Sequence, residues 1–305
     1  MVRDSFSITI FGYSTQPLSK HTKEGAMQPP PLPSTRRESL ATTSEAIDDA
    51  DDPVAPPPTR VRDANPKRIV RSKYLRSASL DPNQRYALVD LLYGVYSQTS
   101  YGCTRDEFAA VVFSAGDGRF VFFYDAHDEF AGFSYTAFEY LQHGGRRYAL
   151  INAGVFFRPG YHGGTLTGLF GLRQALRFKL RHPRTPLAYV TRCSSPAVYR
   201  LLATVPRIYP NRTFATPADI DALARAASAR RRYVPVGENP WIVRTVAIPR
   251  DASQLRFLGH DPDARFFTEL APTYAEGEAL LIWLPLDLAN IAGGFVGLLR
   301  RRLAR

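Results

Sequence analysis

Cysteine is almost missing: the 305-residue chain has two, Cys103 and Cys193. Two thiols cannot build a disulfide framework or a cysteine-rich zinc site. They read as the reduced cysteines of a cytoplasmic protein. The start lacks the basic end and long apolar core of a secretory leader, since Arg3 and Asp4 precede only a short Phe-Ser-Ile-Thr-Ile-Phe run. Long apolar runs are also scarce. The most apolar stretch, Ala279–Leu299, is interrupted by Pro285, Asp287 and Asn290, which argues against a membrane-spanning helix and for a buried strand followed by an amphipathic helix. Aromatic residues are absent between Tyr13 and Tyr74. Nothing in the composition suits a collagen or a coiled coil.

What is present divides the chain. Lys and Arg total 39 against 28 Asp and Glu, a formal charge of +11. Residues 1–70 are neutral, so the whole excess lies in residues 71–305. The first 70 residues also hold 10 of the 24 prolines. Pro29-Pro30-Pro31-Leu32-Pro33 and Pro56-Pro57-Pro58 favour extended polyproline II, and a stretch so poor in apolar side chains cannot offset its ordering entropy. Residues 1–70 are therefore expected to be a disordered segment and residues 71–305 the folded domain.

Within that domain, Asp81-Pro82 with Gln84 and Thr104 with Glu107 are capping-box starts of two helices. Arg119–Asp125, Phe130–Leu141 and Arg146–Phe157 follow as three strands with tight connections, which predicts an antiparallel meander. Thr165–Arg181 then has helical spacing, with Leu169, Leu172, Leu176 and Leu180 on one stripe and Arg173, Arg177 and Arg181 on another. Pro186–Thr191 is a short strand able to lie parallel to the third one through this helical crossover. Ser195-Pro196 opens a further helix, Thr216-Pro217 another, and Trp241–Ile248 and Ala279–Leu284 are further strands. The segment from Phe266-Phe267 to Gly277 reads as a shaped loop. The fold class is α/β (α+β), a mixed, mostly antiparallel sheet flanked by helices.

Between the third strand and its helix stands Pro159-Gly160-Tyr161-His162-Gly163-Gly164-Thr165-Leu166-Thr167. A glycine loop feeding a helix start offers free N–H groups and the positive end of the helix dipole, a site for phosphate. No Gly-Lys-Ser/Thr follows, so it is not a P-loop, and the preceding meander excludes a dinucleotide-binding βαβ unit. Arg230-Arg231-Arg232 and Arg300-Arg301-Arg302 end helices, where cations offset the dipole. With little aromatic interleaving, they do not predict a nucleic-acid partner.

Element order and loop together resemble the GNAT superfamily of acyl-CoA N-acyltransferases, whose loop reads roughly Pro-x-Tyr-Arg-Gly-x-Gly-x-Gly/Ala. Pro159, Tyr161 and Gly163 match; His162 replaces Arg or Gln, and Thr165 and Thr167 replace small residues. The resemblance covers about residues 72–205. It implies an acyl group transferred from acetyl-CoA or another acyl-CoA to an amine acceptor. It implies that His162, Gly163, Gly164, Thr165, Leu166 and Thr167 hold the CoA pyrophosphate, and that the backbone of Val155, Phe156 and Phe157 holds the pantetheine and polarises the thioester. It implies that Tyr199 protonates the departing thiolate. The unprotonated amine calls for a general base, for which Glu139 is the candidate and His162 its rival. The β-branched Thr165 and Thr167 also permit an alternative, a GNAT-like binding module without catalysis. The charge and the arginine-ended terminal helix permit a peripheral binder of anionic surfaces.

Overall fold

The computed structural model describes residues 67–114, 116–250 and 259–303. The proline-rich segment expected to be disordered lies outside the described residues up to position 66. The chain forms a seven-stranded sheet whose strands lie in the order β1 (Ile69–Arg76), β3 (Arg119–Asp125), β4 (Phe130–His143), β5 (Arg146–Phe157), β6 (Leu187–Cys193), β9 (Glu278–Pro285) and β7 (Ile242–Arg244). Only β5 and β6 run parallel; every other neighbouring pair is antiparallel. A two-stranded ribbon joins β2 (Ser100–Tyr101) to β8 (Ile248–Pro249). The expected strand over Trp241–Ile248 is thus two short ones in different sheets.

Both capping boxes form. The Asp81 carboxylate accepts from the Gln84 amide and starts α1 (Pro82–Thr99), and Thr104 with Glu107 starts α2 (Arg105–Val112). These helices cover one face of the sheet, against Phe120, Phe122, Phe133 and Tyr135. The opposite face receives α3 (Gly164–Arg181), whose Phe170 packs with Val121 and Phe123. Strand β3 is apolar at successive positions because both of its faces are buried. Each fully buried phenylalanine, such as Phe120, Phe123 or Phe133, contributes about 1.5–3 kcal/mol of burial free energy.

A second core gathers on β6 and β9, where α4 (Pro196–Leu202), α5 (Ala218–Arg230) and α6 (Pro262–Leu270) pack. Helix α6 corrects the expected loop at Phe266-Phe267. Asp261 accepts from the amides of Asp263 and Ala264, Pro262 takes the first helical position, and Phe267 is wholly buried. The last helix, α7 (Leu288–Leu303), lies on α3, with Leu298 over Gly168 and Leu172 over Gly294. Asn290 is fully buried; its side chain accepts from the Arg207 amide and donates to the carbonyls of Arg207 and Pro285. Along α7, Ile291 is buried while Leu288 is 68% exposed. No helix among the described residues is long and apolar enough to cross a membrane.

Candidate functional site

The parallel seam opens part-way along its length. β5 and β6 are paired at Ala149↔Leu187, Leu150↔Ala188 and Ile151↔Tyr189 only. β5 continues to Phe157, still paired with β4 at Gly132, and β6 continues to Cys193, still paired with β9 at Leu280. Six residues of β5, about 20 Å of strand, therefore have one free edge. Burial follows the same boundary. Leu150 and Ile151 are buried, whereas Asn152–Phe157 are not, and Val155 is 49% exposed on the fourth strand of seven. The result is a wedge-shaped cleft with a backbone N–H and C=O edge along one wall.

Arg231 closes the narrow end. It follows α5, and Arg232 reverses the chain there with φ 53°. The Arg232 and Tyr233 amides donate to the Ala229 and Ser228 carbonyls, which gives a helix end of the Schellman type. The Arg231 guanidinium then donates to Val190 O on β6 (2.6 Å), Ile151 O on β5 (3.3 Å) and the Tyr233 hydroxyl (3.2 Å), and its Nε pairs with the Glu139 carboxylate. It bridges both strands where the ladder stops. Its side chain is 7% exposed. Burial lowers its pKa, but Tyr233 and Glu139 outweigh that and hold it above its ordinary value. The expected role of this arginine, a solvated cation offsetting a helix dipole, is corrected: it is a buried polar wedge. Its side chain could not be placed from the sequence, because its carboxylate partner lies 92 residues away.

The wide end leads into the glycine loop. Tyr161 is buried and donates to Asp125 Oδ2 (2.7 Å). Asp125 Oδ1 accepts from the His127 and Glu129 amides of the β3–β4 turn (both 2.9 Å). The Tyr161 hydroxyl holds the Asp125 pKa below the usual carboxylate value; burial, then Asp125 itself, pushes Tyr161 up to about 12. Arg158 ties the loop to Gln98 of α1 (3.2 Å) and its amide donates to Ala131 O. A Cβ at Gly163 would stand 2.5 Å from the Phe157 ring and 2.5 Å from Thr167 Cγ2, so glycine is required by close packing. No side chain caps α3; Leu166 N donates to Gly163 O, and the Thr165 amide has no partner among the described residues. His162 and Leu166 are exposed.

The predicted residues separate into three places. Val155, Phe156 and Phe157 line the open edge, and residues 162–167 form the loop and helix start that follow it. Glu139 lies opposite Leu150, at the closed end, with Arg231 as its partner. It is about seven residues, roughly 23 Å of strand, from the Phe157 end. Tyr199 lies in the core with no exposed surface; its ring meets Phe266 and Phe267, and its hydroxyl donates to Pro210 O (2.9 Å). Burial raises its pKa well above the ordinary tyrosine value. Asn152, the first residue past the ladder, donates to Val111 O and Ser114 Oγ, fixing β5 to α2 and the turn after it. Neither Asn152 nor the Asp125–Tyr161 pair was singled out from sequence. No group of three or more metal-ligating side chains occurs among the described residues.

No protein-family model and no curated protein matches the chain. Solved structures do. ElaA of Escherichia coli is 14% identical, with 48% of this chain and 95% of that one covered and a TM-score of 0.27. A conserved protein of Enterococcus faecalis, described as a probable N-acyltransferase, is 14% identical, with 75% and 62% covered and a TM-score of 0.31. The GCN5-related glucosamine N-acetyltransferase region of a fungal multi-domain β-N-acetylglucosaminidase is 13% identical, with 68% and 24% covered and a TM-score of 0.27. At these values the likeness carries no argument of its own.

Proposed function

We propose that the protein is an acyl-CoA-dependent N-acyltransferase whose acyl donor lies in the cleft between β5 and β6. The observation that carries this reading is the early end of the parallel ladder. A flat, amide-bearing ligand arm can add to the free edge of β5 as a strand would, through backbone hydrogen bonds. The pantetheine chain, with two amides, has that chemistry. At the wide end, the uncapped start of α3 offers N–H groups and positive dipole to a pyrophosphate. Gly163 lets the loop close onto Phe157 and Thr167, and Tyr161 locks the loop to Asp125, so the donors are set before the ligand arrives.

In the reaction, a β5 amide near Val155–Phe157 donates to the thioester oxygen and stabilises the negative charge of the tetrahedral intermediate. The acceptor nitrogen forms the new C–N bond and loses one proton, and the C–S bond breaks to give the thiolate, which takes a proton. Glu139, opposite Leu150 and about five residues, roughly 17 Å of strand, from Val155, is held by Arg231 at the narrow end and lies out of reach of this amine, which leaves His162 at the loop as the candidate base. Tyr199 can supply the thiolate proton only by releasing the Pro210 carbonyl.

Calorimetric titration of the full chain with acetyl-CoA and with longer acyl-CoAs tests the reading. Binding at one site, weakened at least tenfold in Gly163→Val, is the expected result. Absence of binding by every acyl-CoA tried would overturn it. Binding without turnover of any amine would leave the non-catalytic module as the correct description.

A further inference from the structure

The arginine stripe of α3, Arg173, Arg177 and Arg181, runs away from the glycine loop. Its lower half lines a separate groove of about 300 Å³, on the sheet face that α3 covers. Arg177 lies 13 residues past Gly164, about 20 Å along the helix from the glycine loop. The groove walls are Arg119 of β3 and Arg177 and Arg181 of α3. Its floor is Phe138 and Tyr140 of β4 with Phe178, which stacks on Phe138 at 4.9 Å.

The charges there are unbalanced. Arg177 and Arg181, one turn apart, make no ion pair or hydrogen bond among the described residues. Like charges at this spacing repel and cost helix stability. Arg119 is aimed by the buried Gln174, whose Oε1 accepts from Nη1 at 2.9 Å. Desolvation, then repulsion from Arg177, Arg76 and Arg181, depresses the Arg119 pKa, with Asp117 opposing. Asp117 is the one acid in the lining, and Arg76 already holds it at 2.6 Å. Arg119, Arg177 and Arg181 thus line one concave, partly apolar space, with a neutral amide fixing Arg119. A merely solvated helix face has no need of that arrangement.

We infer that this groove binds a compact phosphate-type polyanion, a pyrophosphate or a phosphate ester, at a site distinct from the β5–β6 cleft. Guanidinium forks match phosphate oxygens two at a time, and an anion there removes the repulsion among Arg119, Arg177 and Arg181. The volume suits a small ligand. The aromatic floor gives an ester's organic part a surface to lie on.

The test is calorimetric titration of the full chain with inorganic pyrophosphate. Three proteins are compared: wild type, Arg177→Gln/Arg181→Gln, and Arg230→Gln/Arg300→Gln as a control that removes the same charge elsewhere. Glutamine keeps helix propensity, and circular dichroism checks that each variant is folded. The expected result is binding to wild type, weakened at least tenfold in the Arg177/Arg181 pair and less than threefold in the control. No binding to wild type at millimolar pyrophosphate would overturn the proposal. So would equal weakening in both pairs, which is a general charge effect, or unchanged affinity in the Arg177/Arg181 pair, which would put the anion elsewhere, such as the glycine loop. Acetyl-CoA titration of the same variants keeps the two sites apart: it is expected to be unchanged, and its failure in all three proteins would sink the acyltransferase reading alone.

Discussion

Arg231 donates to the Val190 carbonyl at 2.6 Å at the level where β5 and β6 part. The bond satisfies an acceptor that a continued ladder would otherwise have used. A buried carbonyl without a donor is costly, so a sheet can be opened from within only if something polar caps the last rung. Arg231 caps both strands at once and neutralises Glu139.

Removing that wedge should therefore be severe. Arg231→Met leaves the Glu139 carboxylate and two strand carbonyls without their partner, and breaking such a buried pair costs about 3–5 kcal/mol. Arg231→Lys is expected to recover only part of this, because an ammonium lacks the planar guanidinium that reaches four acceptors. Combining Arg231→Met with Glu139→Gln should be less damaging than the sum of the two single changes. Urea unfolding of the four proteins measures the coupling; strict additivity would show that the pair is incidental.

The position after it is strained in the opposite sense. Arg232 adopts φ 53° at the end of α5, a place where helices commonly use glycine. The left-handed conformation costs a non-glycine residue about 1–2 kcal/mol, and glycine's greater freedom in the unfolded chain returns part of the gain. Arg232→Gly is expected to stabilise the protein by roughly 0.5–1 kcal/mol. The check is a higher urea midpoint with an unchanged slope. A lower midpoint would mean that the Arg232 side chain matters more than its backbone.

The Asp125–Tyr161 bond makes a pH prediction. Asp125 has a depressed pKa in the folded protein, so its contribution is present above the unfolded carboxylate value and fades as pH falls through the folded one. Tyr161 is raised to about 12, so its contribution is present below the unfolded value of about 10 and is lost as pH rises through 12. Tyr161→Phe removes the first cause of the Asp125 shift. Its acid unfolding midpoint is expected at higher pH than wild type, and its stability should lose the alkaline decline between about pH 10 and 12 that belongs to Tyr161. Thermal melts across pH 2–12 read both limbs, and coincident profiles for the two proteins would refute the linkage.

How much of this was legible beforehand differs by element. The two capping boxes were readable because every participant lies within four residues, and both form as expected. The parallel placement of β6 followed from the length of the crossover. The edge strand β1 was not readable: Ile69–Arg76 mixes charged and apolar residues and pairs on one side only, so no strict alternation marks it. Helix α6 carried the same Asp-Pro start signal as α1, at Asp261-Pro262, but Pro272 and Gly277 downstream drew the reading toward a loop. The candidate site divides likewise. The glycine loop was local and visible. The open seam, the Arg231 wedge and the Tyr161–Asp125 lock join residues dozens of positions apart, and only the folded chain brings them together.

Tyr199 is the residue on which sequence and structure set the sharpest test. Its hydroxyl lies in the core and donates to Pro210 O, so Tyr199→Phe removes one buried hydrogen bond and should cost about 1 kcal/mol. A structural role stops there: acyl transfer, once an acceptor amine is found, would proceed at the wild-type rate. A role as proton donor to the thiolate predicts more. The maximal rate should fall by 10²–10⁴-fold, with acyl-CoA affinity unchanged, since general acid catalysis contributes on that order. Steady-state rates with a thiol-detecting readout, together with the calorimetric affinity, separate the two. A rate within threefold of wild type would assign the leaving-group proton to another donor, with His162 on the loop the next residue to replace.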